Sequence, residues 1–364
     1  MTWIALFDHE ARRFNPRGLG AAASAPLLVD RNPEALLPRG SLLIELRLPE
    51  TTRPRYLVHY DSGDGQQLRL SLQAIPGGGL TLILDHGGEV VHRTINDSDL
   101  GRCDRLRITY AWDAPERMGW LALERPDQDS LRLDPLRNPR PLSIGELCEL
   151  TGQGRECYIA PDIEYIAVSN KVEPVGPMPG LTLNSPIATP GGYRFVKELR
   201  PGDTVLTADG RVEPVLARVD RQVPARGSLR PVHLRAPFFG LQQDIAVAPS
   251  LKIVVSGSAV EYLFGHESVL APAGHFAGGF IGHNEPERAL VTYTQLLLPD
   301  HATLLAAGAP VESLFIGRLV RNPQRLGVSV LANMPRGQIP DHGKQTHPVL
   351  KAFEATVLAE RRVA

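Results

Sequence analysis

The chain has 364 residues, 43% of them hydrophobic and 22% charged; it can bury a sizeable core and is too long for one ordinary domain, so two domains are expected. Its 39 basic side chains offset 40 acidic ones for a formal net charge of −1, which argues against nucleic acid or an anionic membrane surface as the main partner, because both are held by concentrated positive charge. No stretch nears the roughly 18 consecutive apolar residues of a membrane span, and three cysteines without a CxxC pair exclude a dense disulfide framework and a cysteine-built zinc site.

The first residues, MTWIALFDHEARRFNPRG, hold no basic stretch followed by an apolar run. A Sec-type signal peptide is not expected, which leaves the cytoplasm or leaderless secretion as the compartment. From Ser41 to Leu48, Leu42, Ile44, Leu46 and Leu48 alternate with Leu43, Glu45 and Arg47, a period of two that places one row on a buried face of a strand. Similar rows follow at Leu68, Leu70 and Leu72, at Leu80, Leu82 and Leu84, and at Leu106, Ile108, Tyr110 and Trp112. Between them lie the turn-forming runs 61–65, 76–79 and 85–88, rich in the Gly, Asp and Pro that tight reversals need. The 34 glycines and 32 prolines, well above the roughly 12% of average usage, fit many short strands joined by such turns. An antiparallel sandwich is predicted.

Asp61 and Asp64 read as turn formers, because their loop lacks the ordered ligand spacing of a calcium site. Trp112 and Trp120 read as packing residues. Cys103, Cys148 and Cys157 read as buried thiols, with a Cys148–Cys157 bridge as the alternative. The hairpin pattern of Trp112-Asp113, a polar turn at Ala114–Arg117 and Trp120–Leu123 resembles that of the concanavalin-like jelly rolls, over about residues 35–175. The resemblance implies a glycan or another protein as a partner of this first domain.

A boundary is expected at Lys171–Leu183, where Val172–Gly180 carries three prolines and two glycines. Proline removes donors and fixes φ, so this piece reads as a stiff linker. Beyond it come Ser185–Gly192, then Val196–Thr207 with its Pro201-Gly202-Asp203 turn, then Asp209-Gly210 and Pro214-Val215. Short strands reversed by Gly-Gly, Pro-Gly-Asp and Asp-Gly turns are predicted. This ordered set resembles the opening of the Hint module shared by hedgehog autoprocessing domains and inteins, in particular its bacterial Hint-only branch. Later segments at 244–255, 263–273, 293–308, 312–315 and 348–358 extend the resemblance to about residues 180–360. The fold it implies is an all-β module of short curved strands with a C-terminal helix.

The resemblance also implies a chemistry. A processing Hint domain begins with Cys or Ser, which attacks the preceding carbonyl. A His in a Thr-x-x-His stretch protonates the leaving nitrogen, and a later His or Asp assists. Here the family's spacing back from Ile187 lands on Gly180, which has no side chain. Its Ser-Pro-x-His variant appears as Ala248-Pro249-Ser250-Leu251, so the hydroxyl and imidazole positions are apolar. His301, beside Asp300, matches the later His. Ser185 lies five residues beyond the expected nucleophile and Thr182 two, at about 3.3 Å per residue.

His266, His275 and His283 show no HxxxH or HxH pair and read as loop polarity, so no metal is assigned. Asp341–His347 reads as an exposed polar stretch ahead of a helix. Pro348 is expected at that helix's first position, and Val349, Phe353 and Val357 form an apolar stripe expected to dock on the sheets. No phosphate cradle and no GxSxG elbow occurs, so neither a cofactor nor a conventional enzyme site is expected. The chain reads as a jelly-roll-like sandwich followed by a Hint-like module that has lost self-cleavage and serves a structural or binding role. The rival is slow self-cleavage near Pro179–Gly180 by Ser185 or Thr182 with His301.

Overall fold

A computed structural model describes residues 2–20, 33–49, 51–63, 68–77, 79–95, 105–126, 130–152, 157–343, 345 and 347–363, with side chains for all of these but 95 and 360–363. Asp64, Gly65, Gly78, Cys103, Lys344 and Thr346, singled out or included above, lie outside the described residues. The chain divides into two compact units, Met1–Val175 and Gly176–Ala364.

The first unit runs through strands β1 (Trp3–Phe7), β2 (Arg12–Phe14), β3 (Leu36–Leu37), β4 (Arg39–Arg47), β5 (Arg55–Asp61), β6 (Leu68–Ile75), β7 (Gly79–His86), β8 (Glu89–Ile95), β9 (Arg105–Asp113), β10 (Met118–Arg125), β11 (Ser130–Arg137), β12 (Leu142–Ser143), helix α1 (Ile144–Leu150), β13 (Cys157–Ile159) and β14 (Ile163–Ser169). A seven-stranded antiparallel sheet in the order β11-β10-β9-β4-β14-β1-β2 and a five-stranded one in the order β13-β5-β6-β7-β8 share one apolar core. The predicted alternation holds in β6 and β7, where Leu68, Leu70, Leu72, Leu80, Leu82 and Leu84 are all buried. Each such side chain contributes about 1.5–3 kcal/mol.

Strand β4 departs from it. Every residue from Gly40 to Leu46 is buried, because the second face is covered too and its Glu45 is paired with Arg107 at 3.1 Å. Trp112 is fully buried and donates its indole N–H to the Leu37 carbonyl at 2.9 Å. Across from it, a Cβ at Gly40 would lie 2.4 Å from the Trp112 ring, so only glycine fits there. Cys148 and Cys157 are free thiols, and burial pushes the Cys157 thiol up to about 11.

The second unit contains β15 (Leu181–Thr182), β16 (Pro186–Thr189), β17 (Gly192–Phe195), β18 (Thr204–Leu206), β19 (Val212–Pro214), β20 (Ala217–Pro224), β21 (Val232–Leu234), β22 (Ile245–Val247), β23 (Lys252–Ser256), α2 (Ser258–Phe264), β24 (Ser268–Pro272), β25 (Gly282–Asn284), β26 (Leu290–Leu297), β27 (Thr303–Ala306), β28 (Ala309–Glu312), α3 (Pro323–Gly327) and α4 (Ala352–Val363). Two six-stranded antiparallel sheets, ordered β20-β26-β15-β22-β21-β25 and β17-β16-β27-β28-β23-β24, carry most of the strands. The Pro201-Gly202-Asp203 and Asp209-Gly210 turns form with glycine φ angles of +92° and +82°, values that glycine adopts without steric cost.

Three expectations are corrected here. Pro348 does not start a helix: its carbonyl accepts the Leu270 N–H at 2.7 Å, and Leu350 N–H returns a bond to Leu270 at 2.8 Å, so Pro348–Leu350 lies extended along β24. The stripe of Val349, Phe353 and Val357 faces outward at 39%, 64% and 42% exposure, while Leu350, Ala355 and Leu358 are buried. In the Asp341–His347 stretch, His342 is buried rather than exposed. None of the described helices is long and apolar enough to cross a membrane.

Candidate functional site

Strand β15 lies between β26 and β22, with Leu181 opposite both Thr294 and Val247. Gly180 sits one residue before it, and its carbonyl accepts the Ala248 N–H at 2.7 Å. The stretch Ala248–Leu251 closes as a turn, Leu251 N–H bonding the Ala248 carbonyl at 3.0 Å. That turn lays Leu251 on Gly180. A Cβ built at Gly180 would stand 2.7 Å from Leu251 Cδ1, 2.9 Å from its Cβ and 3.3 Å from its Cα. The positions where the family's nucleophile and histidine are expected are therefore in contact, and the leucine fills the volume that a side chain at Gly180 would need.

Thr182 and Ser185 form a separate pair. Their hydroxyl oxygens are 3.3 Å apart, and Thr182 Oγ1 donates to the Ala246 carbonyl at 2.8 Å. Ser185 is 1% exposed. Its backbone N–H bonds the Thr182 carbonyl at 3.0 Å, so the serine belongs to a tight turn between β15 and β16.

His301 belongs to a third group. Its side chain is 3% exposed, with Nε2 at 3.5 Å from Glu312 Oε2, and its ring packs 4.9 Å from Phe315 and 6.1 Å from His342. Lys252 pairs with the other Glu312 oxygen at 3.4 Å. Gln295 donates its side-chain amide to the Glu312 carbonyl. The β15–β26 register, extended one step from Leu181↔Thr294, places Gln295 across from Gly180. Asp300 is exposed. His342 Nε2 lies 3.1 Å from the Leu298 carbonyl; burial pushes this imidazole down from its ordinary value, and the Leu298 bond opposes the shift.

The predicted residues thus fall into three places: Gly180 with Ala248 and Leu251, Thr182 with Ser185, and His301 with Glu312. Sequence reasoning missed Lys252, Gln295, Glu312 and His342. Only a charged residue inside an apolar strand, as at Lys252, could have signalled them. Chemically, residue 180 offers no sulfur or oxygen nucleophile to the carbonyl before it, and the nearest neighbour of a Cβ built there is the hydrocarbon side chain of Leu251. Among the described residues no group of three or more His, Cys, Asp and Glu is arranged to hold a metal ion. His266 is exposed, His275 lies in a short 3-10 turn, and His283 stands on β25 with its ring 4.7 Å from that of His233.

Fold and site together define an all-β protein in which a jelly-roll-like sandwich precedes a second module of short antiparallel strands. Residues 179–318 match the family model of the Hint domain. Among solved structures, the bacterial intein-like domain from Clostridium thermocellum is similar at 16% identity, covering 38% of this chain and 99% of that one with a TM-score of 0.29. The CBM40 of the Ruminococcus gnavus IT-sialidase, bound to α2,3-sialyllactose, is similar at 14% identity, covering 38% and 78% with a TM-score of 0.27. Sheep galectin-11 in complex with glycerol is similar at 9% identity, covering 36% and 81% with a TM-score of 0.21. No curated protein sequence matches the chain.

Proposed function

We propose that the Hint domain of this chain does not process itself and that the chain works as a binding protein, the first unit taking a glycan or protein partner. One observation carries the first half: Leu251 occupies the space of a side chain at Gly180. An acyl shift needs a thiol or hydroxyl poised behind the scissile carbonyl and a group that delivers a proton to the departing nitrogen. Glycine supplies no nucleophile and leucine moves no proton. Ser185 and Thr182 spend their hydroxyls on each other and on a carbonyl, and His301 faces Glu312. A fold that persists without this chemistry serves through its surfaces.

Intact-mass measurement tests the reading. After prolonged incubation of the purified chain with hydroxylamine or a small thiol, a single species at 39.7 kDa is expected. Two fragments of near-equal size, cut at Pro179–Gly180, would overturn it in favour of slow self-cleavage by Ser185 or Thr182 with His301.

A further inference from the structure

The outward face of the five-stranded sheet in the first unit carries ordered rows of side chains. Register sets its rows. Tyr158 on β13 stands opposite His59 on β5, His59 opposite Ser71 on β6, and Ser71 opposite Ile83 on β7. In the next row Tyr56 stands opposite Gln73, and Gln73 opposite Thr81. A bulge between Tyr56 and Val58 turns Tyr56 to the same side as His59, and the two rings meet at 4.9 Å with a 52° tilt. Tyr56 and Tyr158 are 46% and 49% exposed.

These rows alternate two kinds of surface. The Tyr158 and Tyr56 rings give apolar faces that stand out of an edge, with the polar His59 imidazole against Tyr56. Beside them, Ser71, Gln73 and Thr81 give uncharged donors and acceptors, already aligned by the Gln73 Nε2 to Ser71 Oγ bond of 3.0 Å. Neighbouring strands lie about 4.8 Å apart, so the patch from β13 to β6 measures roughly 10 Å across, the length of a disaccharide. A pyranose needs this pairing: its C–H face packs on a ring, and its hydroxyls, each donor and acceptor, meet amides and hydroxyls. Charge selects among sugars. The nearby guanidinium groups already have carboxylate partners, Arg69 with Asp61 at 3.1 Å and Arg55 with Asp162, so the charge around the rings is locally balanced and favours neither sign of ligand.

We infer that this face, through Tyr158, Tyr56 and Gln73, binds neutral pyranose oligosaccharides and not acidic ones. The inference rests on the reading of the first unit as a binding module. It is tested on the full chain by calorimetric titration with neutral cello-, xylo-, manno- and galacto-oligosaccharides alongside sialylated and sulfated ones. Binding to a neutral member is expected, weakened at least tenfold by Tyr158→Ala or Tyr56→Ala, kept by Tyr158→Phe, and unchanged by Val90→Ala at the far edge of the same sheet. An unchanged melting curve shows that the variants are folded. Binding confined to acidic sugars would overturn the selectivity and leave the binding module standing. Neutral binding indifferent to Tyr158→Ala and Tyr56→Ala would overturn the location. No binding to any sugar would overturn the inference and leave a protein as the module's partner.

Discussion

Gly180 and Leu251 share one volume. A methyl at position 180 must displace a leucine that is itself 3% exposed in the core, and overpacking of this kind costs about 1–3 kcal/mol. Gly180→Ala is therefore expected to destabilise by that amount in urea denaturation, and Leu251→Ala by about 2–5 kcal/mol through the cavity it leaves. The double variant should lose less than the sum of the two, because each change relieves the other. At this scale the sequence alone shows that a glycine, Gly180, stands seven positions before Ile187. The contact with Leu251 was not legible there, because it depends on a turn some seventy residues away. His342 was misread for the same reason: its partner Leu298 is 44 residues distant in the chain.

His233 gives a pH dependence that can be signed. Its partial burial lowers the imidazole's proton affinity, but hydrogen bonds to Asp244 and Glu285 at 3.0 and 2.9 Å outweigh that and raise it. A raised value means that the stabilisation is complete below the unfolded value of about 6.5 and fades as pH rises through the folded one. The site is mostly solvent-facing, so the effect is small. His233→Gln should flatten the fall in urea midpoint between about pH 6 and 8; an unaltered slope in that variant would remove His233 as its source.

At the scale of elements, α4 teaches how a helix acquires its rotational phase. The stripe of Val349, Phe353 and Val357 carries bulkier side chains than the face that is buried, and periodicity alone selects it. Pairing of Pro348–Leu350 with β24 decides otherwise, because it turns Leu350 inward and Val349 outward before the helix begins. Ala355 and Leu358 then follow Leu350 into the core. Accordingly Phe353→Ser should change stability by no more than about 0.5 kcal/mol, whereas Leu358→Ala should cost about 2–5 kcal/mol, both read from chemical denaturation. Strands of period two needed no such correction in β6 and β7, where one face meets the core and the other meets solvent. In β4 both faces are covered, and a period of two cannot report that.

At the scale of the whole molecule, the all-β architecture was legible because its two signals are local: alternating rows and Gly, Pro and Asp turns. Strand order was not. Strand β4 lies between β9 and β14, and β15 between β26 and β22, neighbours 58 or more residues apart that no window of sequence relates. The Hint-type turns were readable because each is fixed by its own residues, such as the +92° φ at Gly202. The interlock of Gly180 with Leu251 has a historical consequence. Whichever of the two mutates first, the descendant is less stable, colliding in one case and hollow in the other. Any lineage that acquires a side chain at position 180 must cross that valley or take both steps together, and the joint behaves as a ratchet on the evolution of this position.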